Sequence, residues 1–335
     1  MKKNSTLFLL ALLALFLLLR IPGLQLPYHQ DEWKTARAVE ISAEAASSLY
    51  HPPLTQLSYL AAEKVFGGAQ LRFMPLLFSF LSALLLYAIV KRRVGESAAR
   101  LALLLFGISL YSILASLMID TDGALLPFFF LLSVYCFERY RDELKQHSRR
   151  AWYAGFILAL LGGLMVKLSF VIVLVVFIVE YGVEHSKQLR TRDMLYIVAG
   201  GFSFVGLALA AMFAMRYIYP AFQFGAMLEH ALLYIHLTGR NYTQIVVQTV
   251  KAVQYLSPIL IMPLLFFSRE EFKKLRIFVI YLIGALVFYL FIFDFSRAAL
   301  DKYLMVTIVP LAVLSGSALA SLLRDGKSSL ISASL

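Results

Sequence analysis

The chain alternates between long, unbroken apolar runs and short polar breaks, a pattern with neither the two-residue alternation of a half-buried strand nor the 3.6-residue stripe of a surface helix. A bilayer crossing asks for about 20 mostly apolar residues. Ten runs approach that length, at residues 7–26, 71–90, 101–119, 123–137, 151–166, 168–183, 194–216, 252–267, 277–293 and 303–323. Only helices and closed barrels satisfy their backbone polar groups in lipid, and continuous rather than alternating runs favour helices. The predicted fold class is therefore all-α, a polytopic integral membrane protein of about ten transmembrane helices. The first run follows Lys2 and Lys3 as a signal peptide would, but no small-residue cleavage site follows it, so a retained helix is expected.

The polar breaks are unequal, and the two longest lie at residues 27–70 and 217–251. Within the first, "HPP" suits a helix start, and "LTQLSYLAAEKVFGG" places Leu54, Leu57, Ala61 and Val65 on one stripe before Gly67 and Gly68 end the run. Such a helix would lie in the membrane interface. An earlier piece carries Arg37, Glu40 and Glu44 at helical spacing, a polar face turned to water or to a site. The expected organisation is a module over 1–216 that includes the loop 27–70, followed by a variable part over 217–335. No internal repeat and no soluble domain is evident.

Composition sharpens this reading. Hydrophobic residues make up 61% of the 335 and charged ones 15%, with a mean hydropathy of +0.78. A net charge of +11 invites a nucleic-acid partner, but its distribution argues otherwise. With the N-terminus in the cytoplasm, the short loops and tails on that side hold about two thirds of the Lys and Arg, while the acids divide evenly. That positive-inside bias predicts a cytoplasmic (inner) membrane protein with both termini cytoplasmic and no nucleic-acid partner. The long loops then face outward, and any chemistry must be built there. The single Cys136 lies inside an apolar run, which excludes an intrachain disulfide and a cysteine metal cage.

Several charges exceed what topology needs. Asp31 and Glu32 open "DEWKTARAV", where they could simply complement a helix dipole or do acid–base work. The next outer turn, "MIDTDG", adds Asp120 and Asp122 on the same side. Paired acids at a membrane face suit either a divalent cation or an acid–base pair, and Asp122 and Asp120 are the candidate metal ligands. Lys167 stands alone in "LGGLMVKLSFVIVLVV"; at the bilayer centre it would cost about 2.5–3.5 kcal/mol, so the tip of a helical hairpin or a polar cavity is expected. Arg20 ends the first run at the same level. Near the C-terminus "DFSRAALDKYLMVTIVP" brings Arg297, Lys302 and Tyr303 to the outer start of the last helix, where positive charge asks for an anion such as phosphate.

Taken in order, "DEWKTARAVE", "HPPLTQLSYLAAEKVFGG", "LRFMPLLFSFLSALLLYAIVKRRVGESAARLALLLFGIS" and "DTDGALLPFFFLL" resemble the membrane glycosyltransferases of the GT-C class, which include protein O-mannosyltransferases and lipid A aminoarabinose transferases. The resemblance is dense from Arg20 to about Phe170 and weaker beyond Met194. It implies a transferase that moves a sugar from a polyprenyl-phosphate donor to a lipid, glycan or protein acceptor at the outer face. It also implies roles. Asp31 falls on the first-loop acid that serves as general base, with Glu32 its usual neighbour. Asp122 fits the second-loop acid and Asp120 competes for that place. His51 stands in the "HPPL" motif, where some relatives have Lys; Lys167 holds the hairpin position, and Lys302 with Tyr303 matches a late basic-aromatic pair. Lys167, Arg297, Lys302, Tyr303, Arg20 and His51 are the candidate contacts to donor phosphate, and attack from the back side would invert the anomeric carbon.

Other polar residues carry less. His147 and His185 fall among cytoplasmic basic residues, and His29 beside the DE pair could contact substrate, although a loop histidine at an interface is more often incidental. His230 and His236 with Glu229 have the makings of a metal site, and Tyr234, Arg240 and Tyr242 could border an acceptor groove or belong to an aromatic belt. With no Gly-rich strand-to-helix loop, a soluble nucleotide-sugar donor is not expected. The rival class is a transporter or flippase, which usually shows repeated halves and charges near the midplane.

Overall fold

The computed structural model describes residues 2–28, 32, 33, 35, 36, 39, 51–220, 222–233, 235, 241–293 and 300–333. Among them there is no strand. The chain folds as helices α1 (Lys2–Leu18), α2 (Pro53–Phe66), α3 (Phe73–Arg93), α4 (Glu96–Ile108), α5 (Leu110–Leu117), α6 (Leu125–Asp142), α7 (Gln146–Val166), α8 (Val171–Glu184), α9 (Thr191–Ile218), α10 (Phe224–Leu233), α11 (Tyr242–Leu256), α12 (Arg269–Val287) and α13 (Ile308–Ala333), joined by short 3-10 and π turns. It is an integral membrane protein.

The bundle has a packed centre and a lipid-facing rim. α13 runs along α4, α3 packs on α4 and α6, α6 pairs with α7, and α12 packs on α8 and α13. Burial follows from this: 72% of an 18-residue apolar stretch within Leu304–Arg324 is inside the protein, against 11% of the corresponding stretch of Thr191–Ile218, whose apolar surface suits lipid. At Gly316 a Cβ would come within 2.4 Å of the Ala102 backbone, so the closeness of α13 to α4 depends on the missing side chain.

Among the described residues six helices are long and apolar enough to cross a membrane, and a seventh span is reached if the bent pair α4 and α5 counts as one. Three of the ten expected runs take other forms. The run at 168–183 becomes the 14-residue α8, and the run at 123–137 becomes α6, which ends in Glu138, Arg139, Arg141 and Asp142. The run at 252–267 is no single helix: Ser257 adopts φ 61°, Pro258 starts a helical turn, and Pro263 sits in a 3-10 turn.

Residues 101–119 were expected as one helix, but the chain bends by 67° between α4 and α5. Arg20, buried completely, accounts for how the break is held. It donates to the Gly107 carbonyl at 2.9 Å and the Phe106 carbonyl at 3.5 Å on one side of the break, and to Ser116 (2.6 Å) and Ser112 (3.0 Å) on the other. Carbonyls freed at a helix end need such donors, and a guanidinium offers five. Its own helix supplies the Phe16 carbonyl at 2.9 Å and the Phe16 ring at 3.6 Å.

α2 forms where "HPPLTQ" predicts it, but with the opposite face buried. Thr55, Gln56, Ser58, Tyr59 and Ala62 point inward, whereas Ala61 and Val65 of the expected stripe are exposed and Leu54 and Leu57 are half-buried. In lipid this sign is physical: the apolar face meets the membrane and the polar face lines the protein.

Candidate active site

The loop between α5 and α6 carries "DTDG" into the protein rather than out of it. Asp120 is 7% exposed, and Thr121 and Asp122 are fully buried. Local bonds shape the turn: Asp120 Oδ1 accepts from the Thr121 amide at 2.7 Å, and the Thr121 hydroxyl lies 3.3 Å from Asp122 Oδ2. At Gly123 a Cβ would stand 2.6 Å from the Ala115 carbonyl oxygen and 2.9 Å from its Cα, so only glycine lets the loop fold back on α5. The Tyr59 hydroxyl of α2 donates to the Asp120 carbonyl at 2.9 Å, which ties the interfacial helix to the loop.

Each aspartate faces one lysine. Lys167 Nζ lies 2.5 Å from Asp122 Oδ2, and Lys302 Nζ lies 2.8 Å from Asp120 Oδ2. Lys167 stands in the extended break between α7 and the 3-10 turn at Leu168–Phe170, the hairpin tip expected for it. α2 clamps this break too, since the Thr55 hydroxyl donates to the Val166 carbonyl at 2.8 Å. The Tyr303 ring lies under both ammonium groups, 4.4 Å from Lys167 Nζ and 6.0 Å from Lys302 Nζ, an arrangement that holds cations by the ring's quadrupole. Tyr289, carried inward by a π-turn at Phe288–Ile292, donates across 3.4 Å to Asp122 Oδ1 and lies 3.3 Å from Ser169 Oγ.

His51 belongs to the same end. Its ring stands edge-on to His230 with centroids 6.3 Å apart. Burial first, then the positive charges of Lys167 and Lys302 and the neighbouring His230, hold its imidazole well below the usual histidine range. It is thus a neutral donor or acceptor beside two ammonium groups.

Glu32 has a different task from the acid–base one expected of it. It forms a two-point pair with Arg72, each bond 2.8 Å, and its Oε1 also accepts from the Ile119 amide at 2.9 Å. Arg72 in turn donates to the carbonyls of Leu117 (2.6 Å) and Pro27 (3.0 Å). The pair tethers the first loop to the residue preceding Asp120. Arg20, expected to meet phosphate, is the staple of the α4–α5 break.

The structure therefore gathers Asp120, Asp122, Lys167, Lys302, Tyr303 and His51 at one end of the bundle and leaves Arg20 and Glu32 to scaffold roles. Asp31 and Arg297 lie outside the described residues, as do His29, Arg37, Glu40, Glu44, Tyr234, His236 and Arg240. Sequence reasoning passed over Arg72, Tyr59, Thr55 and Tyr289. Arg72 had a signal, a lone charge at the start of an apolar run one loop away from an acid pair; a tyrosine or threonine in such a chain has none. For a divalent cation the fit is poor: among the described residues no three His, Cys, Asp or Glu side chains form a group that could hold one, and both aspartates already face ammonium groups.

A helical bundle that carries paired acids and lysines on the loops at one end, with an interfacial helix clamped across them, shares its fold with a solved membrane protein, ArnT. Residues 50–213 match the model of a family described as dolichyl-phosphate-mannose-protein mannosyltransferase. The crystal structure of ArnT from Cupriavidus metallidurans in the apo state superposes with a TM-score of 0.66 at 18% identity, over 94% of this chain and 60% of that one. The S. cerevisiae protein O-mannosyltransferase Pmt1-Pmt2 complex bound to the sugar donor gives a TM-score of 0.48 at 17% identity, over 67% of this chain and 34% of that one. The chain thus spans less than two thirds of the length of either. No curated protein sequence matches it at a significant level.

Proposed function

We propose that the protein transfers a sugar from a polyprenyl-phosphate donor to a hydroxyl of a lipid, glycan or protein acceptor, with inversion at the anomeric carbon. The observation that carries this reading is the pair of lysines, buried Lys167 and part-buried Lys302, set beside Asp122 and Asp120 at one end of a bundle with the fold of ArnT. Two ammonium groups at headgroup depth suit a lipid phosphate. The family match over residues 50–213 supports a lipid-linked mannosyl-type donor.

In the reaction an acceptor oxygen attacks the anomeric carbon as the bond from that carbon to the phosphate oxygen breaks. The electron pair leaves with the polyprenyl phosphate, whose growing charge meets Lys167 and Lys302. The acceptor proton passes to a carboxylate, for which Asp31 is the residue the family resemblance names. Its sequence neighbour Glu32 is bonded to the Ile119 amide, one residue from Asp120, and this anchors the first loop at the acidic turn. Lys64-bearing α2 and the lysine end are assigned to the outer face, in the cytoplasmic membrane, on the strength of the positive-inside bias.

Purified protein incubated with a panel of labelled polyprenyl-phosphate sugars and a cell-envelope acceptor extract tests the proposal. Transfer that is lost in Asp31→Asn and reduced at least tenfold in Lys167→Met is expected. Equal transfer by the native protein and Asp31→Asn removes that residue from the chemistry, and no transfer with any donor removes the reading.

A further inference from the structure

The two lysines assigned to the lipid phosphate are each already matched by a carboxylate. Asp122 is fully buried and Asp120 nearly so, at 2.5 and 2.8 Å from their ammonium groups. A phosphate oxygen approaching Lys167 or Lys302 would enter a space that a carboxylate oxygen fills. Two anions cannot both be desolvated against one ammonium group without strong repulsion, so one must yield. We infer that Asp120 and Asp122 are internal stand-ins for the lipid phosphate: they hold the two lysines in the substrate-free protein, give them up when the donor binds, and reclaim them as the product leaves.

This rests on the donor assignment above and adds a device to it. The neutral partners are placed for an exchange. Tyr289, 3.4 Å from Asp122 Oδ1, and the Thr121 hydroxyl, 3.3 Å from Asp122 Oδ2, offer donors that a displaced carboxylate keeps. The Thr121 amide does the same for Asp120 Oδ1 at 2.7 Å. The Tyr303 ring holds both ammonium groups in place whichever anion they face.

Charge counting gives the exchange a direction. The donor is a phosphodiester with a single negative charge, whereas the departing polyprenyl phosphate is a monoester of about −1.5 to −2 at neutral pH. Two lysines would retain that product tightly. Two carboxylates tethered within the same site compete for them at high local concentration and speed its release.

The test is a binding measurement, independent of turnover. Native protein, Asp122→Asn and Asp120→Asn are titrated in detergent with a long-chain polyprenyl monophosphate and followed by native mass spectrometry. Removing a competing carboxylate should tighten binding about tenfold or more, whereas Lys302→Met should weaken it. Infrared difference spectra of the native protein, which do not depend on any variant folding, should show carboxylate bands moving as the lipid phosphate binds. Unchanged or weaker binding in both Asn variants, with a silent carboxylate region while the native protein binds, overturns the stand-in role and leaves the donor assignment intact. Failure of the native protein and of both Asn variants to bind the lipid phosphate overturns the donor assignment and this inference with it.

Discussion

At His51 desolvation and two nearby ammonium groups act in the same direction, against protonation. The folded imidazole therefore titrates well below 6.5, while the unfolded one takes a proton near that value. The unfolded state binds more protons in the interval between them, so stability is full above about pH 6.5 and falls as the pH drops through it, by at most about 1.4 kcal/mol per unit. Melting curves at pH 7.5 and 5.5 should show a loss that His51→Gln largely abolishes; an unchanged slope in that variant would place the sensitivity elsewhere. The Glu32–Arg72 pair poses the opposite case, two charges that are costly only when separated. Arg72→Met strands a buried carboxylate and should lower stability by about 3–5 kcal/mol, whereas the double change Glu32→Gln with Arg72→Met should recover much of it. Residues of this kind were readable in sequence to unequal degrees. Asp120, Asp122, Lys167 and Lys302 stand out because a charge amid apolar neighbours needs a reason. Tyr289 does not, because its hydroxyl is silent until the π-turn brings it to Asp122.

The broken span α4–α5 shows what periodicity alone cannot supply at the level of elements. Residues 101–119 read as one continuous helix, and nothing in that run forbids it. The bend exists because Arg20, from another helix, bonds both sides of it. Arg20→Met should therefore destabilise the fold by about 2–3 kcal/mol, since several buried acceptors lose their donor, and Arg20→Lys should restore only part, having fewer donors in a less suitable geometry. Thermal melts in detergent measure this. Lipid-phosphate affinity of the folded fraction should stay constant in both variants; a selective loss would return Arg20 to the phosphate site. A second element-level test concerns the acidic turn. Gly123→Ala drives a Cβ against the Ala115 backbone and must lift the loop from α5, which should separate Asp122 from Lys167 and cut transfer at least tenfold with a smaller loss of stability. The run at 252–267 is no single helix for a reason visible in its letters: Pro258 and Pro263 interrupt it, and hydropathy averaging hides them.

Over the whole molecule the two ends are built differently, and this bears on orientation. Opposite the aspartates, charged side chains close a ring of contacts around a cleft of about 430 Å³. Arg92 pairs with Asp142 and Arg93 with Glu138, joining α3 to α6; Arg141 meets Glu184 of α8 at 2.6 Å, Glu180 meets Arg276 of α12 at 2.8 Å, and Arg93 returns to the Lys274 carbonyl at 2.8 Å. This basic end is the one that the distribution of Lys and Arg assigns to the cytoplasm. That sidedness was inferred from loop charges alone, and it can be checked directly because the only cysteine, Cys136, is buried. In a Cys136→Ala background, Lys64→Cys on α2 and Lys145→Cys beyond α6 place single thiols at exposed positions on opposite ends. A membrane-impermeant maleimide added to intact cells should label the first and reach the second only after lysis. The reverse pattern would turn the molecule over, bring the lysines and aspartates to the cytoplasmic face, and require a donor presented from that side.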